Sequence, residues 1–530
     1  MLHSRRRLLR LGLTTVGIVG FAGSPPSIEA IPRSASVPSS IRANRFTDRG
    51  PPESATTAES QSRQYTSSVY RSPYSITAIG PFWIGTVADF AVRFSTDGQD
   101  WVDWHAVSFH ENHLGPPDPK GRQFGDLIDA VGARYVQYRL TIPVGAVPPV
   151  VSLELIDSST GPAIRTTPPQ IQVLSAAAIP IVSRAQWGCD ESLRFDSNGQ
   201  LLWPLEYRTV QKVIVHHTAT SNFEDDPAAT VRAIYYYHAV TRGWGDIGYN
   251  LLVDWRGNVY EGRFGGDKVV GGHAYSYSRS LSFNYGSLGI ANLGTFSTVS
   301  PTTAMRSALA SLISWKGRYI DPHGNTYFVA GFLPNLMGHR DAVNTPQAYE
   351  TECPGDVLEA LLPGLRGDVY WAMGEEAPAP RGQLVQVSFG SYVVIGQTLP
   401  IQFVVKNVGT GVMVTEGPTS NSPIFDYNQS DTFASRNFSE LNGSWRVGVD
   451  YDGNGTGRDH PYRWGLSDAL NPGETATING KVTLTQPGTW HYWAGLVQEG
   501  VAWVQDRVGT TAVKVGPPLP KRIYIPYSAR

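Results

Sequence analysis

The chain has 530 residues, with 43 Lys+Arg against 45 Asp+Glu, and its formal net charge of −2 argues against a general nucleic-acid binder. Charged residues make up 17%, below the ~25% usual for soluble domains, and 55 Gly, 38 Pro and 11% aromatics favour short strands and turns over long helices or coiled coil. Two cysteines exclude a disulfide framework and any multi-thiolate zinc or iron–sulfur site, so a metal site must draw mainly on His, Asp or Glu.

Residues 1–30 read as an export signal. Ser4-Arg5-Arg6-Arg7-Leu8-Leu9 precedes an apolar stretch from Leu11 to about Gly23, too short for a membrane span. Consecutive arginines followed by leucines resemble the twin-arginine signal; an ordinary secretory signal with a basic start is the alternative. Cleavage after Ala30 removes four Arg and one Glu and leaves a net charge of −5. The mature chain carries no uninterrupted apolar stretch of ~18 residues, so no integral membrane span is expected. The expected location is extracellular, periplasmic or cell-wall associated.

Residues 31–64 are rich in Ser, Pro, Thr and Ala and read as a disordered spacer. Alternating runs such as Phe90–Phe94 and Arg134–Leu140, separated by turn signals such as Asp97-Gly98, predict a β-sandwich over 65–157. A Pro/Thr/Ala-rich linker follows at 158–178. Residues 179–373 change to a mixed α and β pattern, with helices predicted at Pro227–Val240, where Asp226 can cap, and at 301–319, with Ala304, Ala308, Leu312 and Trp315 on one face. A second linker spans 374–382. Residues 383–516 return to alternating strands and predict an immunoglobulin-like β-sandwich, with a tail at 517–530. The fold class is therefore multidomain: a central α/β module, a mixed sheet with packed helices, flanked by two all-β sandwich modules.

The chemistry concentrates in the central module. Val213-Ile214-Val215-His216-His217-Thr218 is an apolar strand ending in two histidines, which alternation places on opposite sides. Gly338-His339-Arg340-Asp341 and Thr351-Glu352-Cys353-Pro354-Gly355 follow much later. Two His and one Cys can make a three-ligand zinc site with an open fourth position. Spaced this widely, the trio alone reads more readily as packing residues at turns.

The stretches around them carry more. Arg184-Ala185-Gln186-Trp187-Gly188, Val215-His216-His217-Thr218, Arg242–Asn250, Gly257–Arg263, Gly272-His273-Ala274, Gly286–Ile290, Gly338–Asp341 and Glu352–Gly355 stand in one order. In that order they resemble the zinc amidases that include the peptidoglycan recognition proteins and the phage lysozyme-type N-acetylmuramoyl-L-alanine amidases. The resemblance covers the central module and is silent on both β modules.

It implies Zn2+ on His216, His339 and Cys353, with Tyr249 as the catalytic tyrosine that donates to the oxyanion. In the His-His pair the family uses the first histidine, leaving His217 to pack or orient its neighbours. Trp244, Arg263, His273 and Asn284 lie in motif loops expected to edge the substrate groove. Thr351, also expected on the substrate side, stands where phage-type members carry lysine. Ala291 stands where some relatives carry glutamate, so no carboxylate base is expected there. Family members that only bind peptidoglycan lack the cysteine, so Cys353 favours catalysis.

The implied function is that of an exported amidase cutting the N-acetylmuramoyl–L-alanine bond of peptidoglycan, with the β modules holding it on a cell-surface polysaccharide. The alternatives are a peptidoglycan-binding protein without hydrolysis and a zinc peptidase acting within the stem peptide. His238 reads as a packing residue. Cys189 is expected to be a buried free thiol. Asp450–Gly455 begins like a calcium loop but meets Pro461 where an EF-hand needs Glu, and reads as a turn.

Overall fold

The computed structural model describes residues 41–50, 62–108, 118–165, 178–374, 376–427 and 430–518. The expected export signal, most of the spacer and nearly all of the tail lie outside the described residues. Among the described residues no helix is long and apolar enough to cross a membrane.

The first module consists of β1 (Arg42–Asp48), β2 (Ser62–Thr66), β3 (Tyr70–Ile84), β4 (Asp89–Ser95), β5 (His105–Ala106), β6 (Gln123–Phe124), β7 (Ile128–Pro143) and β8 (Val150–Asp157). They form one eight-stranded sheet in the order β1-β8-β3-β7-β4-β5, with β2 on β7 and β6 on β3. The expected sandwich is thus a single bonded sheet, because the long strands β3 and β7 carry the pairing through the whole module.

The spacer expected over 31–64 also differs, since it contains β1. That strand has few large apolar residues and is held by its partner β8: Arg42 pairs with Asp157 and Arg45 with Glu154, while Phe46 stacks on Tyr70 at 4.7 Å. Opposite charges facing each other across a strand pair favour the pairing.

The central module holds β9 (Ile181–Val182), α1 (Arg184–Trp187), β10 (Lys212–His217), α2 (Pro227–Tyr236), β11 (Leu251–Val253), β12 (Val259–Glu261), β13 (Tyr275–Ser276), β14 (Leu281–Ser282), β15 (Ser287–Asn292), α3 (Thr303–Lys316), β16 (Asn325–Phe328), β17 (Gly331–Pro334), β18 (Leu336–Gly338), α4 (His339–Val343) and α5 (Asp356–Ala372). Its sheet runs β18-β10-β15-β11-β12-β9. Strands β18, β10, β15 and β11 are parallel, whereas β12 is antiparallel to β11. Every residue of β10 is buried, as expected of a parallel strand covered on both faces. Alternation sends Leu252 and Ala291 toward α2, and Leu251, Val253 and Ile290 toward α3 and α5.

The helix predicted over Pro227–Val240 is α-helical only to Tyr236 and continues as a π-helical turn over Tyr237–Thr241. Asp226 makes no side-chain cap; its carboxylate pairs with Arg232 at 3.3 Å instead. α3 is shorter than its predicted span, capped by Thr302, whose Oγ1 accepts the Met305 N–H at 3.1 Å.

The last module comprises β19 (Gly382–Phe389), β20 (Tyr392–Val394), β21 (Gln397–Asn407), β22 (Phe425–Asp426), β23 (Trp445–Tyr451), β24 (Tyr462–Gly465), β25 (Thr475–Leu484), β26 (Gly488–Gln498) and β27 (Ala502–Gly516). A four-stranded sheet, β19-β21-β25-β22, and a five-stranded sheet, β20-β27-β26-β23-β24, share one core that includes Phe403, Trp445, Trp464 and Tyr492.

Both expected linkers are fastened where they are described. Arg232 donates to the carbonyls of Ser158 at 2.8 Å and Pro162 at 2.7 Å. Ala379 accepts from the N–H groups of Thr410 and Gly411 at 2.9 and 3.0 Å.

Candidate metal centre

Two of the candidate ligands leave the sheet side by side. β10 and β18 are adjacent and parallel, and both end at the same edge: His216 lies near the end of β10, while His339 directly follows Gly338, the last residue of β18. Ligand groups collect at the carboxyl ends of parallel strands because the loops diverge there.

Cys353 reaches the same point on the loop before α5. Its N–H is accepted by Thr351 Oγ1 at 3.1 Å, and its carbonyl accepts the Arg340 N–H at 2.9 Å. Asn344 clasps the loop from below, donating to the Thr351 carbonyl and accepting the N–H groups of Glu350 and Thr351. The thiol accepts the His217 N–H at 3.4 Å.

The structure brings one ligand atom each of His216, His339 and Cys353 within 4.8 Å of one another, all three residues buried. Cys353 Sγ lies 3.7 Å from His216 Nδ1. Tetrahedral zinc with ordinary Zn–S and Zn–N bonds separates S from N by roughly 3.6 Å, so this S–N pair matches zinc in spacing and the donor set suits it in chemistry.

The neighbours of His216 fix which nitrogen is available. Ser287 Oγ donates to the Phe283 carbonyl at 2.6 Å, so toward His273 Nε2, 3.3 Å away, it acts as acceptor. His273 Nδ1 is then the acceptor toward His216 Nε2 at 3.0 Å. His216 therefore carries its proton on Nε2 and turns the Nδ1 lone pair toward Cys353. Burial pushes His273 down to about 3 and His216 well below its ordinary value, with the neighbouring histidines adding to the latter. Both rings are neutral, the form that ligates. The ring of His273 lies against Gly289, where a Cβ would stand 2.4 Å from it.

Tyr249 stands beside the cluster, its ring 5.5 Å from that of His216 and 5.7 Å from that of His238. It lines a small cavity of about 30 Å³ together with His217, His238 and Cys353. His238 reaches this cavity from the π-helical turn, and its Nδ1 accepts the Gly248 N–H at 3.2 Å. Packing was the expectation for it. The π-helical turn, which carries no periodic signal in the sequence, aims it here.

Several residues expected at the groove are placed elsewhere. Arg263 is buried, ion-paired with Asp246 at 3.1 Å and stacked 3.7 Å over Trp203. Asn284 is buried and accepts the N–H groups of His273 and Ala274. His273 lies behind His216, and Thr351 holds the Cys353 loop. Polar groups enclosed in protein need partners, and these loops find them in each other. Trp244 is half-buried, 5.1 Å from His238 and edge-on to Trp203.

Among the residues that sequence reasoning missed are Asp126 and Leu127. They belong to the first module and yet line the same cavity. The Asp450–Gly455 loop uses the Asp450 carboxylate to accept from Tyr451, Asn454 and His460, as a turn does.

Residues 206–356 match the family model described as N-acetylmuramoyl-L-alanine amidase. Peptidoglycan-recognition protein SC2 of Drosophila simulans is 36% identical over 180 residues, which span 33% of this chain and 81% of that relative. Human N-acetylmuramoyl-L-alanine amidase is 38% identical over 139 residues, covering 26% of this chain and 20% of the human protein. Among solved structures, Drosophila PGRP-LB is 30% identical, covering 34% of this chain and 91% of its own, with a TM-score of 0.26. By the extent of the match to SC2, the chain belongs to the family of peptidoglycan-recognition proteins and N-acetylmuramoyl-L-alanine amidases.

Proposed function

We propose that the chain is an exported zinc amidase that hydrolyses the amide between the lactyl group of N-acetylmuramic acid and L-alanine in peptidoglycan. The observation that carries this reading is the buried trio of His216, His339 and Cys353, a catalytic-type donor set of three protein ligands. When bound there, zinc supplies a Lewis acid and lowers the pKa of a water to about 7.

The chain's own residues do the rest. His273 and Ser287 hold His216 in the ligating tautomer. Thr351 and Asn344 set the Cys353 loop. The Tyr249 phenol donates a hydrogen bond to the oxygen that gains charge as water adds to the amide carbonyl. Burial of the cluster keeps bulk water from competing for these groups. The β modules position the enzyme on its polymer.

The test is incubation of the purified chain with intact peptidoglycan, with and without a chelator, and mass spectrometry of the soluble products. Stem peptides with a free L-alanine amine, released only without chelator, are expected. Binding without release would leave a recognition protein, and cleavage inside the stem would make it a peptidase.

A further inference from the structure

We propose that the first β module is part of the substrate cleft: the Asp126 carboxylate, carried on the turn between β6 and β7, contacts the muramyl peptide beside the metal-ligand cluster. This rests on the amidase reading and adds to it a substrate contact from outside the amidase module.

The cavity beside Cys353 is lined by Asp126 and Leu127 together with His217, His238 and Tyr249. Among the described residues lining it, Asp126 is the one carboxylate. An ionised carboxylate only accepts hydrogen bonds, so it suits the amide N–H groups and sugar hydroxyls on either side of the scissile link. Donors that meet an ionised acceptor are held more strongly than those that meet a neutral one.

The placement of this turn is fixed from several directions. The phenol of Tyr237, at the start of the π-helical turn, donates to the Gly125 carbonyl at 2.6 Å and lies 3.3 Å from that of Pro81. Gly80 makes room for the same ring: a Cβ there would stand 2.6 Å from Tyr237 Cδ2. Arg122, paired with Asp118 at 2.9 Å, donates to the carbonyls of Thr241 and Arg242 at 2.8 and 3.1 Å. On the far flank Asp129 accepts the Ser221 N–H. Leu127 is 6% exposed and belongs to the same core cluster as Tyr249 and Ile234. A turn held this way is a fixed part of the cavity lining.

The experiment uses the full chain and its Asp126→Asn and Asp126→Ala variants, with a soluble N-acetylmuramyl tripeptide as probe. Turnover is measured on the metal-loaded protein and the dissociation constant on chelator-treated protein. Asp126→Asn keeps the size of the side chain and removes its charge. It is expected to weaken probe binding by about 10- to 100-fold and to raise KM, with metal content and melting temperature unchanged. Unchanged binding and turnover in both variants would overturn the proposal while leaving the amidase reading intact. Faster turnover in the variants would also overturn it, by making the turn an obstruction. A wild-type chain that neither binds nor cleaves the probe would remove the amidase reading and this inference together.

Discussion

His216 can offer Nδ1 to a metal because His273 and Ser287 engage its other nitrogen in a fixed order of donors and acceptors. Partners behind a ligating histidine typically change metal affinity 10- to 100-fold. His273→Leu is therefore expected to weaken zinc binding by about that factor, as measured by competition with a chromogenic chelator, while the chain stays folded. Cys353→Ser removes the thiolate itself, and the variant should lose both its zinc after dialysis and its chelator-sensitive release of stem peptides. A variant that keeps both would remove Cys353 from the ligand set. That His216, His339 and Cys353 converge, with Tyr249 beside them, was legible in the sequence because each sits in a short motif whose order carries the information. The roles of Arg263, His273, Asn284 and Thr351 were not. A polar residue in a motif loop can face the cleft or support it, and only the partners of its side chain decide: Asp246 for Arg263, the N–H groups of His273 and Ala274 for Asn284, the Cys353 N–H for Thr351.

At the scale of elements, the hairpin β16–β17 depends on one buried cation. Lys212, at the start of β10, is fully enclosed. Its Nζ donates to the carbonyls of Thr326 and Leu333 at 3.0 and 2.6 Å, and lies 2.7 Å from both Thr326 Oγ1 and Asn335 Oδ1. Lys212→Met leaves these oxygens without their donor and is expected to cost about 2–4 kcal/mol at neutral pH, read by chemical denaturation. Burial pulls the ammonium from 10.5 down to about 7. Between those values the unfolded chain binds the proton more tightly than the folded one, so Lys212 makes stability rise with pH across that window. The difference between wild type and Lys212→Met should therefore grow from pH 7 to pH 10. A difference independent of pH would show that the folded and unfolded chains hold this proton equally. The apolar run of β10 was readable as a strand, but a lysine at its head reads as a solvated end. Its burial follows from a hairpin more than a hundred residues later in the chain. The π-helical turn after α2 was hidden for a similar reason, since helical periodicity continues through Tyr236 and the widening at Tyr237 answers to contacts with the first module.

For the whole molecule, composition marks linkers between three modules, and composition alone suggests beads on a string. The packing argues otherwise. Val412 and Ala469 of the last module are buried in the core cluster of the central one, alongside Leu365 and Val369 of α5. The Val412 N–H donates to the Tyr319 carbonyl at 2.9 Å, and the Thr209 N–H donates to Asp468 Oδ2 at 3.0 Å. These contacts are invisible in the sequence because alanine and valine at strand ends and turns carry no sign of which module they will touch. If the shared core is a real energetic link, damage on one side should be felt on the other. Ala469→Asp places an unpaired carboxylate where the alanine is 1% exposed, and a buried charge without a partner is destabilising by several kcal/mol. The site lies in the last module's sequence, so independent modules would confine the loss to that module. A coupled core instead predicts that the central module also unfolds earlier, with its zinc released at a lower temperature than in wild type. Calorimetry combined with a fluorescent zinc indicator separates the two outcomes. Zinc release at the wild-type temperature alongside an early transition elsewhere would show that the last module melts alone.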